Sequence, residues 1–341
     1  MARMTLPNGT IRPFDPDGND YATLARILAA TDPNAGLDED AVRVHDRDWD
    51  HTRFEKYRWV AVEPDGTVVG FIDALHHPRQ FEAWRYLVLP FVHPDAQRQG
   101  WGTALLAHAE AFVRARGARE LRAEAREDIP AGVAFAKRHG FEVAARSWQG
   151  RLNLDAFDPA RFGDPHALAA ASGVKLVTLA DEVARDPDAL ERVYHLVREV
   201  EADVPRVTPV TELDFEQWQR QSIERPGLIR EAYFLAVRDG EYVGVSFLRR
   251  PAGLPAVINQ GLTGVARTAR GRGIALALKV ATATYAKADG AHELRTWNSD
   301  RNHAILRIND AMGFVREAAG LDLSKAITPA TATGGAPHPD T

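Results

Sequence analysis

Residues 92–141, reading VHPDAQRQGWGTALLAHAEAFVRARGARELRAEAREDIPAGVAFAKRHGF, align without a gap on residues 265–314, reading VARTARGRGIALALKVATATYAKADGAHELRTWNSDRNHAILRINDAMGF, at an offset of 173. Gly100 falls on Gly273, Gly117-Ala118 on Gly290-Ala291, Glu120-Leu121-Arg122 on Glu293-Leu294-Arg295, and Gly140-Phe141 on Gly313-Phe314. Alanine matches carry little weight in an alanine-rich chain. Glycines and a charged–apolar–charged triplet that hold register over the whole span carry much more. The offset lies far beyond the roughly 20–50 residues of stacked repeats, so the chain reads as two copies of one domain. Its 341 residues agree with this, since a domain usually holds about 100–200.

Outward from that stretch, the two copies share an order of elements. A short strand at 10–12 or 174–178 precedes a helix near 21–30 or 189–201. Strand candidates at 57–62 and 67–75 answer those at 232–237 and 242–248, with Asp65-Gly66 and Asp239-Gly240 supplying hairpin-turn chemistry. A third strand, 85–92 or 256–265, runs into a loop rich in Arg, Gln and Gly and then a helix with apolar residues at helical spacing. A strand at 120–124 or 293–297, a short helix and a strand opening at Phe141 or Phe314 complete each copy. The expected fold is α/β: two tandem domains, each a mixed, mostly antiparallel β-sheet flanked by helices. Residues 1–155 form the first and 174–325 the second, with a partly helical linker at 156–173 and a flexible tail at 326–341.

Composition narrows the chemistry. The chain has no cysteine, which excludes disulfides, a thiol nucleophile and zinc sites built on Cys. A net charge of −5 argues against nucleic acid as a partner. No apolar run is long enough to cross a bilayer and no leader sequence is evident, so a cytoplasmic protein without a membrane partner is expected. His76-His77 stands without the HExxH helix of a metal site, and no metal is expected.

The loop after the third strand is the place for chemistry. It reads Gln97-Arg98-Gln99-Gly100-Trp101-Gly102-Thr103 in one copy and Arg270-Gly271-Arg272-Gly273-Ile274-Ala275-Leu276 in the other. Glycines let backbone approach a ligand, and a helix starting there offers unpaired N–H groups and its positive dipole end to a phosphate. Arginines add charge. The nucleoside-triphosphate loop needs Lys-Ser/Thr where Thr103-Ala104 stands, and the dinucleotide fingerprint needs a glycine where Leu105 stands. A tight strand-to-helix turn is the bland alternative, weakened because the pattern occurs twice.

Gln97-x-x-Gly100-x-Gly102 and Arg270-x-x-Gly273-x-Ala275, each after an apolar strand and opening a helix, resemble the Q/R-x-x-G-x-G/A motif of the GCN5-related N-acetyltransferases (GNAT). Gly140-Phe141 and Gly313-Phe314 match where that family ends its fourth helix. The likeness covers both halves, and a tandem pair resembles the arrangement of mycothiol synthase-like acetyltransferases. It implies acetyl-CoA as cosubstrate and a small-molecule or peptide amine as acceptor, in a monomer or homodimer. Residues 97–103 and 270–275 would then cradle the pyrophosphate. The pantetheine arm would lie along residues 89–92 or 263–265 as an added strand, with a backbone N–H of Val92 or Val265 polarising the thioester carbonyl.

The same family likeness implies an Asn early in the fourth helix facing the cofactor, and an acid seven residues later. Those positions hold Asn302 and Asn309 in the second copy, and Ile129 and Ala136 in the first. Asn302 would touch the pantetheine. Asn309 cannot act as an acid, though it could hold the sulfur or a water by a hydrogen bond. The second copy is therefore the expected catalytic one and the first a structural lobe. Residues 256–265 contain no carboxylate, so Glu201 or Asp203, beyond the first helix of the second copy, would take an amine proton. The same carboxylates could equally be a solvated helix end. The leading expectation is direct transfer of acetyl to a primary amine. A non-catalytic acyl-CoA-binding or assembly protein, and a transferase of a longer acyl group, remain the alternatives.

Overall fold

Alternating apolar residues between Gly- and Pro-marked turns produce the first five strands of the chain. They are β1 (Thr10–Pro13), β2 (Lys56–Val62), β3 (Val68–Leu75), β4 (Arg85–Val92) and β5 (Glu120–Arg126). The first four pair antiparallel in sequence order, and β5 joins β4 in parallel. The computed structural model describes residues 8–31, 38–206, 211–251 and 253–329. The chain divides into two units, Met1–Ala125 with Ala131–Val143 and Asp322–Thr341, and Arg126–Pro130 with Ala144–Leu321.

In the first unit, α1 (Asp20–Thr31) turns Tyr21, Leu24, Ile27 and Leu28 onto Val60 and Phe71 of the sheet, the spacing of one apolar helix stripe. Helix α2 (Glu39–Arg47) follows, capped by Asp38, whose side chain accepts from the Ala41 N–H. Beyond the sheet, α3 (Trp101–Ala115) buries Trp101, Leu105, Ala109 and Val113, and α4 (Pro130–Arg138) is short. A buried charge network ties α2 to the sheet. Arg58 bonds Asp46 at 2.6 Å and Asp73 at 2.5 Å, and Lys56 bonds Asp46 at 2.5 Å. Burial alone would raise the Asp46 carboxyl, but Arg58 and Lys56 outweigh it and hold the group below its ordinary range.

The second unit takes β6 (Glu142–Asn153) from Ala144 onward, then α5 (Pro165–Ala171), β7 (Lys175–Thr178), α6 (Leu179–Arg185), α7 (Ala189–Ala202) and the single turn α8 (Phe215–Trp218). Strands β8 (Leu228–Arg238), β9 (Glu241–Arg249) and β10 (Val257–Val265) lead to α9 (Ile274–Ala288), β11 (Glu293–Ser299), α10 (His303–Met312) and β12 (Val315–Ala326). The strand order in this unit is β6-β11-β10-β9-β8-β7. Asp239 and Gly240 both take positive φ, 54° and 84°, the turn type that matches the twist of a two-residue hairpin.

Packing groups the residues differently from the repeat. Strand β6 closes the first copy in sequence, yet it pairs antiparallel with β11, from Glu293 against Asn153 to Ser299 against Ser147. Residues 322–326 of β12 in turn belong to the first unit. Segment 156–173 packs within the second unit. Ala169 is fully buried, and the Lys287 ammonium donates to the carbonyls of Leu154 at 2.8 Å and Phe157 at 2.6 Å. At the start of the expected tail, Ile327 is buried and donates its N–H to the Arg119 carbonyl; residues from 330 lie outside the described ones. Among the described residues no helix is long and apolar enough to cross a membrane.

Replacing Arg58 with Met is expected to destabilise the protein by about 3–5 kcal/mol at pH 7, because Asp73 keeps its burial without this partner and Asp46 is left with Lys56 alone. The deficit should shrink below about pH 4, as Asp46, whose folded pKa is depressed, takes up a proton and wild type loses that stabilisation too. Denaturant midpoints of both proteins across this range provide the measurement.

Candidate active site

Strand β10 runs parallel to β11 only where Val257, Ile258 and Asn259 face Glu293, Leu294 and Arg295. Beyond Asn259 the two strands part. Residues 260–265 keep β9 on one edge and present the other edge to open space between the strands. An unpaired strand edge offers alternating N–H and C=O groups, the pattern an extended ligand with amides can match. In the first unit β4 leaves β5 in the same way after Leu87.

Only β10 also carries a bulge among these two strands. Its register against β9 shifts between Gln260 and Thr263, so Gly261 and Leu262 face the single residue Phe247. The β3/β4 ladder runs from Gly70 against Val92 to Leu75 against Leu87 without a shift. A bulge interrupts the ladder and frees a backbone group from it. Gly261 is required there, since a Cβ would lie 2.1 Å from the Phe247 ring. Phe247 in turn stacks on Tyr233 at 4.8 Å.

The loop after each strand is built alike in the two units. The Gln97 amide donates to the Val92 carbonyl and the Arg270 guanidinium to the Val265 carbonyl, both at 3.0 Å. Arg98 and Gly271 both have positive φ, 66° and 76°, as do the helix-capping Gly100 and Gly273, 98° and 85°. This left-handed pair lifts the chain so that the first turn of α3 or α9 presents its N–H groups outward, where an anion is favoured. Gly271 and Gly273 are exposed, and so is Arg272, which forms no ion pair with the described residues. Ile274 and Trp101 are buried at 1% and 2% exposure, so of these two only the backbone is available to a ligand. Ala275 packs against the core cluster. On the first unit's loop, Gln99 bonds the Asp95 carbonyl, Gly102 lies under the Phe135 ring, and the Thr103 hydroxyl meets His139 at 3.0 Å.

Asn309 on α10 is buried, and its amide donates to Asn298 on β11 at 2.7 Å. The Asn309 side-chain oxygen Oδ1 is buried with no donor, an arrangement that invites a ligand N–H. Asn302 caps α10, accepting from the Ile305 N–H at 3.3 Å, so an added contact to a cofactor would have to use its amide N–H groups. Asn298 was not singled out from the sequence; its signal is a third asparagine, where the first copy has Ala125, alongside Ile129 and Ala136.

The two candidate bases differ. Asp203 accepts from Arg267 at 2.5 and 2.8 Å and from Arg270 at 2.5 Å. These guanidiniums hold its carboxyl well below the usual range, which makes it a poor proton acceptor and a good anchor for the loop. Glu201 is half-buried and its charge is felt by the Tyr233 phenol, whose pKa burial and this carboxylate both raise. Among the described residues no group of three or more His, Asp or Glu is placed to hold a metal ion.

Residues 22–141 match the Acetyltransferase (GNAT) family. The chain is 29% identical to a mycothiol acetyltransferase of Sanguibacter keddieii over 69% of this chain and 72% of that protein. It is 29% identical to one of Parafrankia sp. over 67% and 72%. Among solved structures, a tandem GNAT protein from the clavulanic acid biosynthesis pathway superposes with a TM-score of 0.71 at 23% identity, over 93% of this chain and 98% of the other. A GCN5-related N-acetyltransferase from Sphaerobacter thermophilus gives 0.67 at 24%, over 94% and 97%. Two strand–loop–helix units with a parted third strand and full-length likeness to a tandem protein lead to one assignment: the chain has the fold of a tandem GNAT protein, and its residues 22–141 match the GNAT family.

Proposed function

We propose that the protein is an acetyl-CoA-dependent N-acetyltransferase whose second unit transfers acetyl directly to a primary amine. The observation that carries this reading is the bulge in β10, found beside the open strand edge in the second unit and missing from β4. The three asparagines 298, 302 and 309 stand on the same side of the comparison. Relatives named mycothiol acetyltransferase support a small-molecule acceptor.

Acetyl-CoA supplies the acetyl group as an activated thioester. The N–H groups of Gly271, Arg272, Gly273, Ile274 and Ala275 would hold its pyrophosphate, with the free Arg272 guanidinium beside them and Arg270 locking the loop to Val265 and Asp203. The open edge at residues 263–265 would take the pantetheine amides, and the Val265 N–H would orient the acetyl carbonyl for attack. The orphaned Asn309 oxygen would accept an N–H from the arm. As the amine nitrogen bonds the carbonyl carbon and the carbon–sulfur bond breaks, Glu201 would receive the amine proton directly or through water. Asn309 donates hydrogen bonds but no proton, so the departing thiolate would be stabilised, not protonated, by the enzyme at that position. With no cysteine in the chain, a protein thioester plays no part.

The match of residues 22–141 to the family favours a second reading for the first unit alone, that it too binds acetyl-CoA through Gln97, Arg98, Gly100 and Gly102. Calorimetric titration then gives two sites per chain, against one for the second unit acting by itself.

Three substitutions test the assignment. In Gly273→Glu a side chain must adopt positive φ, beside Ser172 and against the phosphates; about 2–3 kcal/mol of strain and repulsion lowers acetyl-CoA affinity about 100-fold and thiol release with it. The counterpart Gly100→Glu should leave thiol release within about twofold, because the chemistry lies in the other unit. The reverse pattern would move the active site to the first unit, and tight acetyl-CoA binding with no thiol release from polyamines, amino sugars, aminoglycosides or peptides would remove the enzyme reading. For Asp203→Asn, loss of the loop anchor should raise the KM for acetyl-CoA by about tenfold, or 1.4 kcal/mol, with the pH profile of kcat unmoved. Loss of an acidic limb from that profile would instead identify Asp203 as the base.

A further inference from the structure

The core of the second unit contains a polar chain that the fold itself does not need. Lys279 on α9 is 1% exposed, and its ammonium donates to the side-chain oxygen Oε1 of Gln260 on β10. The Gln260 amide donates to Thr282 at 2.7 Å and to Ser246 at 3.1 Å. Ser246 on β9 shares a hydrogen bond of 2.8 Å with Thr263. Thr282 closes the chain by donating to the Lys279 carbonyl. Gln260, Ser246 and Thr282 are buried at 4% or less. Gln260 and Thr263 are the two residues that bound the bulge, and Thr263 is half-buried at the open edge.

The first unit is the internal control. The positions of Gln260, Thr263, Lys279 and Thr282 hold Val88, Pro90, Leu106 and Ala109 there, the bulge accounting for the one-residue shift before Thr263, and Ile72 faces Pro90 as Ser246 faces Thr263. The same strand and helix pack through apolar side chains, and the strand has no bulge. Replacing a buried polar group set by apolar residues of similar size is often neutral or stabilising, so stability gives no reason to keep a lysine in this core. Burial pushes the Lys279 ammonium down to about 7. Near neutral pH its amine therefore donates to Gln260 without a fixed, uncompensated charge, and the Phe314 ring 4.9 Å away faces whatever charge remains.

We propose that Lys279, Gln260, Thr282 and Ser246 are positioning residues for acetyl transfer, a brace that grips both ends of the β10 bulge and holds it in shape beside the open edge. This rests on the second unit being the catalytic one. The brace ties both ends of the bulge to fixed points, Gln260 to the helix behind the strand and Thr263 to the neighbouring strand. A freed backbone group helps the reaction only if it is held to within a fraction of an ångström. Binding of acetyl-CoA, which depends on the loop and on the edge beyond the bulge, does not require the brace.

The test gives the full-length protein the first unit's residues, as the triple variant Gln260→Val/Lys279→Leu/Thr282→Ala. Thiol release from acetyl-CoA is measured with the fastest acceptor among spermidine, glucosamine, kanamycin and a lysine peptide, together with calorimetric acetyl-CoA affinity and the melting temperature. The expected result is a kcat at least tenfold lower, acetyl-CoA affinity within twofold of wild type, and a melting temperature equal or higher. A kcat within threefold of wild type overturns the proposal. If the triple variant does not fold, Thr263→Val, which keeps the shape and removes the hydroxyl, carries the same expectation, and an unchanged kcat in it overturns the proposal. Gly273→Glu serves as the control for the underlying reading. Full turnover there overturns that reading and this proposal together, whereas lost turnover there with full turnover in the triple variant overturns this proposal alone.

Discussion

Parallel strands remain paired only while their backbones stay near 4.8 Å apart, and in the second unit that condition holds for Val257, Ile258 and Asn259 alone. Everything at the candidate site depends on the parting that follows. An open edge on β10 exists because β11 turns away, and β11 can turn away because β6 pairs with its other edge from Glu293 to Ser299. The loop at Arg270 and the start of α9 lie at the end of the freed edge. The parted strands, the bulge and the helix N-terminus thereby form one line along which a long ligand with an anionic end can lie.

The first unit obeys the same constraint without the same buried polar groups. It has the parted strand, the left-handed turn and the amide-to-carbonyl bond from Gln97 to Val92. The same turn is needed wherever the chain passes sharply from strand to helix, whether or not a ligand follows. The polar groups that distinguish the second unit cost stability unless they are partnered. Gln260, Lys279, Thr282 and Ser246 partner one another, while the Asn309 oxygen is left without a donor. The polar set around the β10 bulge is replaced by valine, leucine and alanine in the other copy, a chemical asymmetry between two like scaffolds.

Much of the fold was legible because glycine and turn chemistry act locally. The strands at 57–62, 85–92 and 120–124 and the loop glycines stand within a few residues of where sequence spacing puts them. Helix α6 was missed, since its seven residues are too few to show a period, and α2 was missed because its apolar stripe is confined to a single buried residue, Val42. The bulge could not be read at all, because Gly261 marks it only in relation to the Phe247 ring on another strand.

The sequence by itself determined that one domain pattern occurs twice, that each copy carries a glycine turn between strand and helix, and that only the second holds asparagines where the first has Ile129 and Ala136. Tertiary structure alone decided how the residues group and which are engaged. It placed the closing strand of the first copy against β11, bound Asp203 to two arginines instead of leaving it free to accept a proton, and joined Lys279 to Gln260 beneath the bulge. The physical reason is the range of the interactions. Turn and capping preferences act over a few residues, whereas strand pairing, burial and charge pairing join residues such as Asp203 and Arg270, 67 positions apart, that only packing brings together.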